Sequence, residues 1–138
     1  MLFLIRDIRI LILVSCCHVY LADLVLKRLK ARLSAQNIAF VVMWFFGVYD
    51  LNWVLDSSFS HYSGYIVLGF VLKGVSSHNI YITMSVFNSI LRYPVVNAVC
   101  SLDYVELAWK KAFDLNVFEL ITSLRVLLGI SFGLLLNY

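Results

Sequence analysis

Charge is scarce in this chain. Only 14% of its 138 residues are Asp, Glu, Lys or Arg, 62% are hydrophobic, and the mean hydropathy is +0.91. An ordinary globular domain carries roughly 25% charged and about 45–50% apolar residues, so this composition is that of a polytopic membrane protein. A soluble chain this apolar would have to bury nearly every helix on all sides, and its length offers too little interior for that. One proline and six glycines leave no flexible linker or low-complexity tail, and no internal repeat is visible. The three cysteines, Cys16, Cys17 and Cys100, form no CxxC pair. Adjacent Cys16 and Cys17 do not readily bridge, and Cys17 beside His18 is not a ligand spacing. No zinc site or disulfide framework is expected, only small apolar side chains within helices. A net charge of +3 is too small to imply nucleic acid, no Arg-rich arm supports it, and no nucleic-acid partner is expected.

What is abundant is apolar run. The chain predicts an all-α transmembrane bundle forming one integral membrane domain over 1–138. Its spans lie at about 8–26, 38–55, 57–76, 80–100 and 117–136. About 20 residues suffice for a helix to cross a hydrocarbon core of about 30 Å. The fourth span is diluted by Asn88, Arg92, Pro94 and Asn97, so four spans with a re-entrant or surface helix are the alternative. Residues 102–114 predict an amphipathic helix on the membrane or on a partner subunit. Met1 to Val14 carries Arg6, Asp7 and Arg9 within an apolar run and ends in no small-residue cleavage site. The expectation is a protein without a cleavable address, made where it is used.

Lys27, Arg28, Lys30 and Arg32 follow the first span as the densest basic cluster. They mark the cytoplasmic or matrix side by the positive-inside rule, with anionic lipid headgroups as the other use for such a cluster. Ionisable residues within spans point to function, because their burial in lipid is costly. Asp50, Glu119 and Arg125 are the candidates for a polar axis or proton path, and the plainer reading solvates the acids at the headgroups. Glu119 and Arg125 lie about 240° apart around a helix, so each would need a partner from another helix or subunit. His18 and His61 would suit a heme b between two facing helices, against a simpler packing role. His78 falls in an expected loop. No Ser/His/Asp set, phosphate loop or two-carboxylate site can be assembled, so no catalytic residue and no metal site are expected.

The third span approaches its uncharged core, Tyr65 to Leu72, through His61, Tyr62 and Gly64. Tyr62-Ser63-Gly64 leading into Tyr65-Ile66-Val67-Leu68-Gly69-Phe70 resembles the third helix of NADH dehydrogenase subunit 6, from the membrane arm of complex I. Tyr65 stands where that family usually has Gly or Ala. The resemblance implies a conformationally mobile helix able to form a π-bulge, with Tyr62, Gly64 and Phe70 as the switch residues. It also implies ubiquinone nearby rather than bound directly, and a role linking quinone reduction to proton translocation. Ser58-x-x-His61-x-x-Gly64 is similar to the quinone motif of the succinate dehydrogenase membrane anchor, with Tyr62 replacing its arginine. Ser123-Leu124-Arg125-Val126 looks like the arginine helix of ATP synthase subunit a, with Gly129 in place of its usual Asn. The expectation is therefore a respiratory-chain subunit of the mitochondrial inner membrane, surrounded by unlike membrane subunits and phospholipid. A small homo-oligomeric channel or viral pore, with Arg125 or Glu119 on its axis, is the alternative from another class.

Overall fold

Four of the apolar runs are strands. The computed structural model describes residues 8–46, 48–58, 61–72 and 93–132. In it RILILVS forms β1 (Arg9–Ser15), AFVVMWF forms β2 (Ala39–Phe45), GYIVLGFVL forms β3 (Gly64–Leu72) and VVNAVCSL forms β4 (Val95–Leu102). Val, Ile and aromatic residues dominate these segments, as suits a pleated and covered surface. The helices are α1 (Val19–Ala35), α2 (Val48–Ser58), α3 (Val105–Asp114) and α4 (Val117–Phe132), with a short 3-10 turn at Cys16–His18.

The strands pair in parallel in the order β2-β1-β3-β4. Helices cover both faces of the sheet. Even-numbered residues of β1, β3 and β4 (Ile10, Ile12, Val14, Ile66, Leu68, Phe70, Val96, Ala98) pack with α1, α3 and α4. Leu11, Leu13, Tyr65 and Val67 point the other way and pack with Leu51, Val54 and Leu55 of α2. The chain moves in opposite directions along the sheet from β1 to β2 and from β2 to β3. Right-handed crossovers therefore put α1 and α2 on opposite faces.

Two-sided cover explains the apolar runs of β1 and β3, whereas edge strand β2 leaves Met43 and Trp44 exposed. A parallel strand buried on both faces loses the polar alternation of a half-exposed strand and reads as a continuous apolar run. Such a run cannot be told from a buried helix by periodicity alone. Residues 10–14 are wholly buried, and each large aliphatic side chain among them contributes about 1.5–3 kcal/mol through removal from water.

The helices keep their own punctuation. The inner stripe of α1 is Leu21, Ala22, Val25, Leu26, Leu29 and Leu33. The helix ends where Asn37 adopts φ 57°; the Asn37 N–H donates to Ser34 O at 3.1 Å and the Ile38 N–H to Leu33 O at 3.0 Å. That is a Schellman closure, completed by apolar Ile38 and Leu33, and it throws the chain straight into β2. Asn116 caps α4, its Oδ1 accepting from the Phe118 N–H at 3.0 Å.

These elements overturn the five-span bundle. Segment 8–26 joins β1, the 3-10 turn and the start of α1, whereas 38–55 joins β2 to α2. Segment 57–76 runs from the end of α2 into β3, so Tyr62, Gly64 and Phe70 belong to a turn and a strand instead of a switch helix. Segment 80–100 reaches β4, its part before residue 93 lying outside the described residues. Helix α4 occupies 117–132 with Glu119 and Arg125 exposed. Among the described residues no helix is long and apolar enough to cross a membrane. The predicted surface helix at 102–114 gives way to α3, whose buried side is Ala108 and Ala112 against the protein core, while Leu107, Trp109 and Phe113 lie outward. The predicted basic loop is the middle of α1. There Lys27 pairs with Asp23 at 3.0 Å on the surface. Arg28 donates to the carbonyls of Ala112, Phe113 and Leu115, closing the end of α3.

Candidate functional site at the carboxyl edge of the sheet

All four strands run the same way, so Ser15, Phe45, Leu72 and Leu102 end along one edge. From β1 the chain goes to β2 on one side, and from β3 it goes to β4 on the other. The order reverses between β1 and β3, and in open parallel sheets the ligand crevice lies at that switch point, beyond the carboxyl ends of the strands.

On the β1 side, the place where that rule puts a crevice is bounded by the Cys16–His18 turn. Ser15 is buried, and its Oγ accepts the Cys17 N–H at 3.3 Å. Cys16 and His18 are half-buried and Cys17 is exposed. Beyond β2, Phe46 is 80% exposed, and Asp50 stands exposed in the first turn of α2, where a carboxylate suits the helix dipole. Beyond β4, Asp103 and Tyr104 are exposed before α3, which carries Glu106 in its first turn. A flat surface, proton-carrying groups and thiols thus collect at one edge. Cys100, half-buried on β4, is a poorer nucleophile: burial pushes its thiol pKa up, opposed by the Lys111 ammonium. Among the described residues no set of three or more His, Cys, Asp or Glu is placed to hold a metal ion.

The predicted polar axis is not assembled. Asp50 lies at the carboxyl edge, whereas Arg125 donates to Gln36 Oε1 just beyond the end of α1, near the start of β2. Glu119 sits exposed in the first turn of α4, and its neighbour Phe118 lies under the Arg32 guanidinium at 5.6 Å. Lys30 is exposed on α1. His18 follows β1 and His61 precedes β3, at opposite edges of the sheet, so they do not face each other across a heme. His78 lies outside the described residues. Phe70 is wholly buried under the helices. Gly64 opens β3 where an added Cβ would stand 3.0 Å from Leu124 Cδ1.

The opposite, amino edge holds an interlocked aromatic set. Tyr65 is 1% exposed, its hydroxyl 3.3 Å from Ser58 Oγ and its ring 6.1 Å from Tyr62 and 6.3 Å from Tyr93. Burial pushes its pKa above the usual tyrosine range, only partly offset by the Ser58 hydrogen bond. Tyr93 donates to Asp56, and the Arg9 guanidinium lies 5.2 Å from the Tyr62 ring.

Sequence reasoning passed over the crevice because none of its residues forms a local motif. The available signal was the change, seen after β1 and after β4, from a short apolar run through polar residues to helical spacing.

Comparison with known families corrects the functional expectation. Residues 7–116, about four-fifths of the chain, match the family model for 6,7-dimethyl-8-ribityllumazine synthase. No individual curated protein matches. The match runs from the approach to β1 through α3, so the resemblance to complex I subunit 6 is overturned, and with it the quinone-coupled role. The succinate dehydrogenase motif is a helix end, a turn and a strand start, and the ATP synthase motif lies on α4, on which Glu119 and Arg125 are exposed. The pore reading fails with the bundle it required. Unlike membrane subunits as partners and the mitochondrial inner membrane as location fall with them. The chain belongs to the 6,7-dimethyl-8-ribityllumazine synthase family.

Proposed function

We propose that this chain acts as its family's name describes, forming 6,7-dimethyl-8-ribityllumazine in the crevice at the carboxyl edge of the sheet. The observation that carries the reading is the coincidence of the family match with the segment from β1 to α3, which supplies every residue of that edge. The product is a flat two-ring dione bearing a polyol. Closing its dimethylated ring joins two amino nitrogens carried by the existing ring to the two carbonyl-level carbons of a four-carbon unit. Two carbon–nitrogen bonds form, two waters leave, and such steps need groups that move protons. His18 and Asp50 are the groups proposed for this, with exposed Phe46 as the surface for the rings. The proposal requires no resident cofactor.

Calorimetric titration of the full chain with 6,7-dimethyl-8-ribityllumazine tests it. Saturable binding is expected, weakened about tenfold, or ~1.4 kcal/mol, by Phe46→Ala and by Asp50→Asn. Absence of binding, or binding indifferent to both substitutions, would place the activity elsewhere or remove it.

A further inference from the structure

The register sets Val14 of β1 opposite Leu68 of β3, so Ser15 comes to lie beside Gly69 at the mouth of the switch point. A Cβ added at Gly69 would stand 2.8 Å from Ser15 Cβ. Real Cβ atoms essentially never approach so closely, and both here would be anchored directly to backbone, so neither could swing aside. Gly69 lies within the run of β3, and what glycine supplies there is space. Ser15 fills that space and is, tyrosine aside, the one polar residue buried among the described residues. Its Oγ meanwhile accepts the Cys17 N–H.

We propose that Ser15 and Gly69 form a steric lock that holds the Cys16–His18 turn over the crevice, with Ser15 as a positioning residue. The lock works through two contacts on one side chain. Ser15 Cβ seats on the bare Gly69 backbone and sets how closely the end of β1 approaches β3. Ser15 Oγ then pins the first peptide of the turn, which sets where Cys17 and His18 stand. A side chain at residue 69 would lift the turn from β3 and displace His18. The consequence for ligand binding rests on the function proposed above; the lock itself does not.

Thiol reactivity separates the two. In the full chain, iodoacetamide alkylates accessible thiols irreversibly, and mass mapping assigns a separate rate to Cys16, Cys17 and Cys100. Gly69→Ala should raise the Cys16 rate about tenfold, leave Cys100 protected, and weaken 6,7-dimethyl-8-ribityllumazine about tenfold. In the Ser15→Gly background the same Gly69→Ala change should alter neither rate nor affinity by more than about twofold, because the atom it strikes is gone. Ser15→Ala keeps the Cβ and loses the acceptor, so it should raise the Cys16 rate while Gly69→Ala retains its full effect on top. An equal Gly69→Ala effect in both backgrounds, or no change in Cys16 anywhere, would overturn the lock. Should Gly69→Ala expose all three thiols by unfolding, recovery of Cys100 protection in the Ser15→Gly background would support the lock and continued exposure would overturn it. Coupled thiol rates with no ligand binding in any variant would leave the lock standing and refute the proposed function.

Discussion

The two edges of the sheet divide the labour of the molecule. At the amino edge the polar groups satisfy one another: Tyr65 with Ser58, Tyr93 with Asp56, Arg9 with Tyr62, Arg125 with Gln36, and the last carbonyls of α1 with the Asn37 turn. At the carboxyl edge a thiol, an aromatic ring and carboxylates stand toward solvent. Both edges are built from the same strands and differ only in which ends they present. Mutually satisfied networks rigidify, and side chains exposed on a rigid scaffold can be reached by a ligand. Stability is expected to rest on the amino edge and the proposed chemistry on the carboxyl edge, and each can be broken separately.

The largest effect is expected at Tyr65. Tyr65→Ala should cost about 3–5 kcal/mol in urea unfolding, as for other buried aromatics. A loss below about 1 kcal/mol, the scale of one hydrogen bond, would mean that the amino edge does not hold the fold together. Tyr65→Phe should cost only about 1 kcal/mol at neutral pH, through the Ser58 hydrogen bond. It should also change the response to alkali. Because burial raises the Tyr65 pKa in the folded state, its contribution is fully present below the ordinary tyrosine value of about 10 and is lost as pH rises through the folded value. The Tyr65→Phe chain should therefore show a shallower fall in stability at high pH.

A middle effect is expected at Asn37. Asn37→Val forces a β-branched residue into left-handed backbone and should cost about 1–2 kcal/mol, while Asn37→Gly should cost nothing measurable. Equal losses would show that the asparagine side chain matters rather than its φ. The smallest effect belongs to the carboxyl edge. Phe46→Ala, at a ring 80% exposed, should shift the unfolding free energy by no more than about 0.5 kcal/mol while still weakening the ligand. A large loss of stability there would erase the contrast between the edges.

Parts of this organisation are legible along the chain and parts are not. The apolar runs beginning near Ile8, Ile38 and Tyr65 are plain, as is the polar interval around residues 103–116. Their lengths mislead when taken in windows of twenty: seven residues of β1 joined to the inner stripe of α1 have the apolar content of a membrane span. Asn37 and Asn116 mark the end of α1 and the start of α4, but each falls just before an expected span and so fits either fold. The misread stretch is the basic run at residues 27–32, a loop by expectation and the middle of α1 in the fold. Asp50 and His18 stand out as ionisable residues in apolar surroundings, but that oddity does not say which edge they share. Ser15 and Gly69 carry no local signal, since 54 positions separate them and only the β1–β3 register makes them neighbours.

By itself the sequence determined how much apolar surface had to leave water, where α1 must turn and where α4 begins, because those depend on side-chain transfer and on hydrogen bonds a few residues long. Only the tertiary structure decided whether that surface meets lipid or a sheet. Burial is non-directional, and Ile10 or Val67 is removed from water equally well by either. The difference lies in backbone N–H and C=O groups, which a lone helix satisfies internally and a strand satisfies only with another strand. Parallel pairing between β1 and β3 supplies those partners across the intervening chain, and the same pairing creates the switch point at which the crevice forms.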